Sequence, residues 1–334
     1  MELSHYRKVF KEIVQGCTKA EIDTETYYIK HLSALDQVDI DEVKQEYYDQ
    51  AISRGIPTEE EALSSLMKEG QWTKKDESQI KQLHNFIEQL QKNKTALVLK
   101  SDIDRQNKSI QETRAKIQAL NEKRASLLGV NAEGYADKRA NDYYIIKSYF
   151  HDAKLEDPVF PDEEDYNELY AEDVQKFVNC YNQTFLSFEE LKIQEMILQD
   201  FYYIYFPFSD DTVGFFGTPV VQLTYNQLKL IVYTKIFKNI FENNKHIPEK
   251  IKKDPQALLD YGSISDEAKE KMKNKLDKDQ DGATLFGATD EDYEYAGLDK
   301  PSDKSGISIQ KAAEKKGGSL SMEDLMELSG IPQK

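Results

Sequence analysis

The sequence predicts a mainly α-helical protein: a helical body, a long coiled-coil-like helical hairpin and a flexible acidic C-terminal tail. Three observations predict it. The stretch from Thr73 to Leu128 contains neither Gly nor Pro and repeats apolar residues at heptad spacing. Amphipathic segments before it are each closed by a glycine. Beyond about Pro255, Asp, Glu, Lys, Gly and Ser dominate, a composition too polar to offset its ordering entropy. With 334 residues, 39% hydrophobic and 31% charged, the chain can bury real cores but favours helices and extended architecture over one globule. The expected division is residues 1–72 (short helices), 73–129 (long coiled-coil-like helices), 130–255 (a helical, aromatic-rich core domain) and 256–334 (the acidic tail, ending in a short amphipathic helix).

Residues 1–70 read as short helices. "HYRKVFKEIVQG" places Tyr6, Val9, Phe10 and Ile13 on one face and stops at Gly16; "DIDEVKQEYYDQAISRG" turns Val43, Tyr47, Ala51 and Ile52 inward and ends at Gly55. "PTEEEALSSLMKEG" has Thr58 as N-cap, three glutamates in its first turn and Gly70 as its stop. In the long segment, Thr73 and Asp76 make a capping-box-like start. A seam runs through Ile80, Leu83, Ile87, Leu90 and Leu97, and a second register through Ile103, Ile110, Ile117, Leu120 and Leu127. The registers do not match, and Ser101 and Asp102 can cap a helix, so two helices meeting at a hinge are expected, with a single bent rod as the alternative.

This segment carries twelve basic and seven acidic residues, against the trend of the chain. It reads as a solvated face or as a docking surface for an acidic element such as Leu155–Asp173, which holds nine acidic residues and no basic one. Next, "VQKFVNCYNQTFLSFEELKIQEMILQDFYYIYFPF" should supply the main core through Phe177, Phe185, Leu191, Ile193, Met196, Ile197 and Phe201. "GFFGTP" reads as a structural turn, and Thr224 as the N-cap of a helix whose stripe includes Leu228, Ile231, Val232, Ile236, Ile240 and Phe241. At the end, "SLSMEDLMELSG" has a capping box at Ser321 and Asp324, and Met322, Leu325, Met326 and Ile331 form one apolar face, the candidate protein-binding residues.

A net charge of −17 argues against a nucleic-acid binder. Cys17 and Cys180 are too few and too far apart for a disulfide scaffold, which favours a reducing compartment. The N-terminus lacks the pattern of a signal peptide, and no run approaches the roughly 20 apolar residues that span a bilayer, so no membrane partner is expected.

Catalytic motifs are absent: no Walker loop, no HExxH, no CxxC and no GxSxG, and the five histidines stand singly and read as surface residues. The expectation is therefore no enzyme, no cofactor and no catalytic or metal residue. "DKDQDG" has the first half of an EF-hand loop in Asp277, Asp279, Asp281 and Gly282, but Ala288 stands where the bidentate Glu belongs. Counting from Asp279 instead puts Thr284 where Gly is required. An acidic hinge is the better reading of this stretch.

Taken together, "YYIKHLSALDQVDIDE", "GIPTEEEALSSLMKEGQWTKKDE", "KRASLLGVNAEGYADKRANDYYI", "LTYNQLKLIVYTKIF" and "SLSMEDLMELSG" resemble tail-associated proteins of contractile-tailed bacteriophages of the marine and cyanobacterial type. Some of these serve as tail assembly chaperones or baseplate-hub assembly proteins. The resemblance spans most of residues 25–330 and rests on helical packing motifs, so it transfers no site residue. It implies a non-enzymatic protein of the host bacterial cytoplasm or the virion tail, whose partners are tail or tape-measure proteins, with the 73–128 helices as a further route to a homo-oligomer. The competing readings are a cytosolic coiled-coil adaptor unrelated to phage and a calcium-responsive module.

Overall fold

The computed structural model describes residues 3–244 and 247–264, together with Asp292 and Tyr295. Helix α1 (Leu3–Gln15) buries Tyr6, Val9 and Ile13 and ends at Gly16, whose φ of 70° is the left-handed conformation that glycine adopts without a Cβ penalty. The chain then forms a β-hairpin, not another helix. Strands β1 (Cys17–Ile22) and β2 (Glu25–Lys30) pair antiparallel from Cys17↔Lys30 to Ile22↔Glu25, and the two-residue turn between them holds Asp23 at φ 56°. Helices α2 (Ala34–Ser53), α3 (Glu59–Lys68), α4 (Lys74–Lys94), α5 (Lys100–Leu128) and α6 (Ala132–Ser148) come next. The short β3 (Tyr149–Phe150) joins β2 through Ile29↔Tyr149 and completes a three-stranded sheet in the order β1-β2-β3. The chain continues through α7 (Glu163–Asn167), α8 (Ala171–Leu186), α9 (Glu190–Ile197), a 3-10 helix (Tyr203–Asp210), α10 (Thr212–Phe216), a second 3-10 turn (Val220–Gln222), α11 (Tyr225–Asn243), α12 (Glu249–Lys252) and α13 (Pro255–Ser263). The protein is mainly helical, and the sheet is an addition to the short helices expected over residues 1–70.

The described residues divide into two compact units, residues 3–78, 120–243 and 253–255 in one and residues 79–119, 244, 247–252 and 256–264 with Asp292 and Tyr295 in the other. In the first unit the sheet supplies Tyr27 and Ile29 to a core completed by Ile145, Ile146, Tyr149, Phe160, Tyr166 and Phe177. The Tyr149 hydroxyl, on a fully buried ring, donates to the Phe177 carbonyl at 2.7 Å. The acidic Leu155–Asp173 stretch belongs to this unit. Glu163 pairs with Arg139 of α6 and accepts from the Tyr47 hydroxyl, and Asp173 pairs with Lys176 at 3.0 Å. These carboxylates meet cations outside the basic 73–128 segment.

Several sequence-placed residues face the other way. Ile52 (40% exposed), Leu191 (49%), Val232 (51%) and Ile236 (36%) point to solvent, and α11 buries the expected Ile231 and Ile240 together with Leu230, Thr234 and Phe237. That helix is apolar on more than one face, so periodicity alone does not choose between them.

In the second unit, Leu83, Ile87 and Leu90 of α4 share one apolar cluster with Ile110 and Ile117 of α5, and the Gln106 side chain donates to the Leu90 carbonyl at 3.0 Å. The break between the helices falls at residues 95–99. The N-terminus of α5 is not capped by Ser101 or Asp102 as expected. Ser101 lies inside the helix, and its N–H and hydroxyl both donate to the buried Asp292 carboxylate, at 2.8 and 2.9 Å. An outside anion satisfies an orphan helix donor as well as a local one does. Residues 255–263, where composition places the start of the tail, form a helix. α13 runs to Ser263 and buries Leu258 and Asp260, the latter paired with Lys94 at 2.6 Å and accepting from Asn107 at 2.7 Å.

The only tryptophan sits in a clasp in the first unit. Trp72 is 1% exposed and donates through Nε1 to Glu77 at 2.8 Å, while Arg124 donates at 2.7 Å to both Glu77 and Glu59. Arg124→Ala leaves two carboxylates without their cation and is expected to cost about 2–3 kcal/mol. Urea unfolding followed by Trp72 fluorescence measures this, with Arg124→Lys recovering less than half because one ammonium cannot reproduce the guanidinium fork.

Candidate functional site

A groove of about 690 Å³ opens in the first unit beside α1. The face of α1 that carries Tyr6, Val9 and Ile13 is buried, which leaves Phe10, Lys11 and Val14 on the flank that walls the groove. The facing wall is the 3-10 helix. At three residues per turn, Tyr205 and Phe208 lie above one another on one side of it, and both line the groove. Pro207 between them has no N–H to give, which suits a short tight helix. The end wall is α10, where the Asp211 carboxylate accepts the Gly214 N–H at 2.9 Å as a cap and Phe215 turns inward. The expected turn at "GFFGTP" is in part a helix: Gly214–Phe216 belong to α10, which Gly217 ends at φ 71°, and Phe215 also lines the groove.

The walls are a connected aromatic stack. Phe10 and Tyr205 have ring centroids 4.9 Å apart, Tyr205 and Phe215 5.9 Å, and Phe10 and Tyr202 5.4 Å. Tyr202 is fully buried behind them, its oxygen 2.8 Å from the Thr234 Oγ1 of α11. Thr234 gives its own proton to the Leu230 carbonyl at 2.6 Å, so the Tyr202 hydroxyl is the donor in that pair. Burial pushes the Tyr202 phenol well above its usual range and keeps it neutral. At the mouth, Phe208 is 60% exposed and Val14 38%.

Charge is arranged asymmetrically around this apolar lining. Lys11 has no hydrogen-bond or ion-pair partner among the described residues, and Arg7, one turn earlier, stands with its guanidinium carbon 5.7 Å over the Phe201 ring. On the facing side Lys238 pairs with Asp210 and holds its carboxyl below the usual range, while Asp211 is engaged in its cap. The arrangement can bind an apolar surface and orient a charge beside it.

The candidate binding residues taken from the sequence, Met322, Leu325, Met326 and Ile331, lie outside the described residues, as does the Asp277–Gly282 loop. Among the described residues no group of three or more His, Cys, Asp and Glu is placed to hold a metal ion. No described helix is long and apolar enough to cross a membrane. Periodicity assigns Phe10 and Phe201 to core faces and gives no sign of the groove. The signal that could have found it is the aromatic pair three residues apart around Pro207.

His31 corrects the expectation of a surface histidine. It is 1% exposed, its Nε2 sits 2.9 Å from Thr18 Oγ1, and its ring meets Phe188 edge-on at 4.5 Å. Burial lowers its pKa to about 4, so the ring is neutral and structural at pH 7. Burial also pushes the Cys17 thiol up, the opposite of what a nucleophile needs.

Compared with protein-family models, characterised proteins and solved structures, the chain matches none.

The unfolded chain protonates His31 near pH 6.5, whereas the folded chain resists until about pH 4, so stability is full above pH 6.5 and falls as pH drops through that window. Between pH 7 and pH 5 the loss from this group is about 2 kcal/mol. Urea midpoints at the two pH values measure it, and His31→Asn is expected to flatten the slope by that amount. A second expectation concerns Gly214: a Cβ there would lie 2.2 Å from Asp211 Oδ2. Gly214→Ala therefore dislodges the cap of α10, at a cost of about 1 kcal/mol seen by thermal melting, and Asp211→Ala costs a similar amount with no further loss in the double variant.

Proposed function

We propose that the chain is a non-enzymatic assembly or structural protein of a contractile phage tail. It acts as a chaperone or scaffold in the host bacterial cytoplasm, or as a part of the tail itself, by binding other tail proteins through helical surfaces. Two lines support this reading. Five stretches of the sequence, from "YYIKHLSALDQVDIDE" to "SLSMEDLMELSG", resemble tail-associated proteins. The observation that carries the binding role is the groove between α1, the 3-10 helix and α10. Its lining is aromatic and aliphatic, its mouth exposes Phe208, and its one carboxylate is engaged as a helix cap. Such a site favours adhesion over acid–base chemistry, which needs titratable groups converging on a reacting atom. By contrast, Ile87, Leu90, Ile110 and Ile117 of α4 and α5 face one another within the chain, which makes the groove the stronger candidate for a partner surface.

The test is co-expression of the chain with tape-measure and baseplate proteins of a contractile tail, followed by affinity purification. A tail protein is expected to co-purify, and Phe208→Asp is expected to reduce its recovery at least tenfold with an unchanged far-UV circular dichroism spectrum. Leu325→Asp with Met326→Asp asks the same of the C-terminal segment. Failure of the wild-type chain to retain any tail protein overturns the reading.

A further inference from the structure

We propose that the groove receives an amphipathic α-helix of a partner protein, one that lays apolar residues against Phe10, Tyr205, Phe208 and Phe215 and carries acidic residues along the flank facing α1. This inference rests on the proposed binding role and names the chemistry of the partner.

The argument is one of shape and charge. The lining residues come from three helical elements and leave the site open along its mouth, where Phe208 stands 60% exposed. An open aromatic trough matches a helix face read at i, i+3, i+4 and i+7 better than it matches a small ligand, which needs most of its surface enclosed. The lining carries one cation, Lys11 of α1, and one carboxylate, Asp211 on the facing side. Arg7 and Lys11 are four residues apart on α1, so they share one helix face and lie one turn from each other. Neither has an ion-pair partner among the described residues, in a chain whose net charge is −17. Three half-buried cations elsewhere close on carboxylates, Lys94 on Asp260, Arg124 on Glu59 and Glu77, Arg139 on Glu163, whereas Arg7 and Lys11 are exposed. On the facing side Asp210 is already paired with Lys238, and the Asp211 carboxylate lines the groove. A helix with acidic residues on one flank pairs with Arg7 and Lys11 when that flank faces α1, and reversing it brings those residues toward Asp211. The groove thereby selects both the charge of the partner and its orientation.

The experiment uses the full chain and two synthetic amphipathic peptides of about four turns with identical apolar positions, one flanked by Glu and one by Lys, each fluorescently labelled for anisotropy titration. The Glu peptide is expected to bind at least tenfold more tightly than the Lys peptide at low salt, with the difference shrinking as salt is raised. Arg7→Glu with Lys11→Glu is expected to invert the preference, and Phe208→Asp to weaken both peptides at least tenfold; all these side chains are exposed, and circular dichroism checks that each variant folds. Equal affinity for the two peptides, binding indifferent to the Arg7 and Lys11 changes, or no binding of either peptide overturns the inference. So does a concentration-dependent dimer abolished by Phe208→Asp, which assigns the groove to a second copy. The two levels separate cleanly. Tail proteins that co-purify while the peptides fail remove only this inference, and peptides that bind with no tail protein retained remove only the phage assignment.

Discussion

A single buried hydroxyl organises the aromatic walls of the groove. Tyr202 sits between α9 and α11 with its ring fully buried and its proton on Thr234, and four aromatic rings, those of Phe10, Phe201, Tyr205 and Phe206, pack around it at 5.4–6.4 Å. Each large ring removes roughly 150–250 Å² from water, and edge-on pairs add specificity of angle. A phenol at this depth must find an acceptor, so the hydrogen bond fixes the height of the ring against α11. That in turn sets where the following 3-10 helix starts. The positions of Tyr205 and Phe208, and hence the groove, depend on it.

Charge management gives the second layer. The acidic excess of the chain is not a uniform solvated coat. Glu163 is drawn onto Arg139, which also stacks on Tyr47 with its guanidinium carbon 4.8 Å from the ring centre. Asp260 is held by an ammonium and by the amides of Asn107 and Gln256. Burying a carboxylate is tolerable only with such company. The cations used this way sit at half-buried positions and fasten local structure, whereas Arg7 and Lys11 on α1 are exposed. They pair with no carboxylate among the described residues, and Lys11 lines the aromatic groove with Arg7 one turn before it on α1.

How much of this was legible in the sequence depends on whether the deciding information is local. Helix ends were, because capping is a four-residue affair: Thr58 with Glu61, Thr73 with Asp76 and Thr224 with Gln227 all bond reciprocally as their side chains suggest. Gly16, Gly55 and Gly70 end or follow helices with positive φ. The gap between α4 and α5 was visible too, since a change of apolar register needs a break. The β-hairpin was not. "CTKAEIDTETYYIK" has only Tyr27 and Ile29 deeply buried on β2, and its partner strand β3 lies more than a hundred residues away and is two residues long. The pairing with β3 leaves almost no local trace, and the hairpin of β1 with β2 buries too few residues for a clear alternation. The faces of α11 were illegible for a different reason, since apolar residues occur on several sides and tertiary packing chose Leu230 and Phe237 over Val232 and Ile236. The groove was hidden by the same excess: in "DFYYIYFPFSD" every aromatic looks like core, and only the 3-10 geometry decides that Tyr205 and Phe208 open onto a cavity while Tyr202 does not.

The capping of α5 shows how this chain recognises an acidic group. Nothing within Lys100–Asp102 satisfies the Ser101 N–H; a carboxylate almost two hundred residues further on does, and Tyr295, one turn beyond, lays its ring against Tyr261 with centroids 5.4 Å apart. A carboxylate and an apolar ring, three residues apart, together occupy one polar donor site and one aromatic surface. The neutral donors at α5 gain from the helix dipole what the cations of α1 supply by full charge, so the groove presents the same pairing of features in stronger form. A ligand that alternates acidic and apolar residues at helical spacing satisfies both halves at once, whereas a purely apolar one leaves Arg7 and Lys11 facing a surface with no counter-charge. Affinity for the apolar half alone would be indiscriminate. It is the charged rim, working against the acidic field of the rest of the chain, that turns an adhesive trough into a selective one.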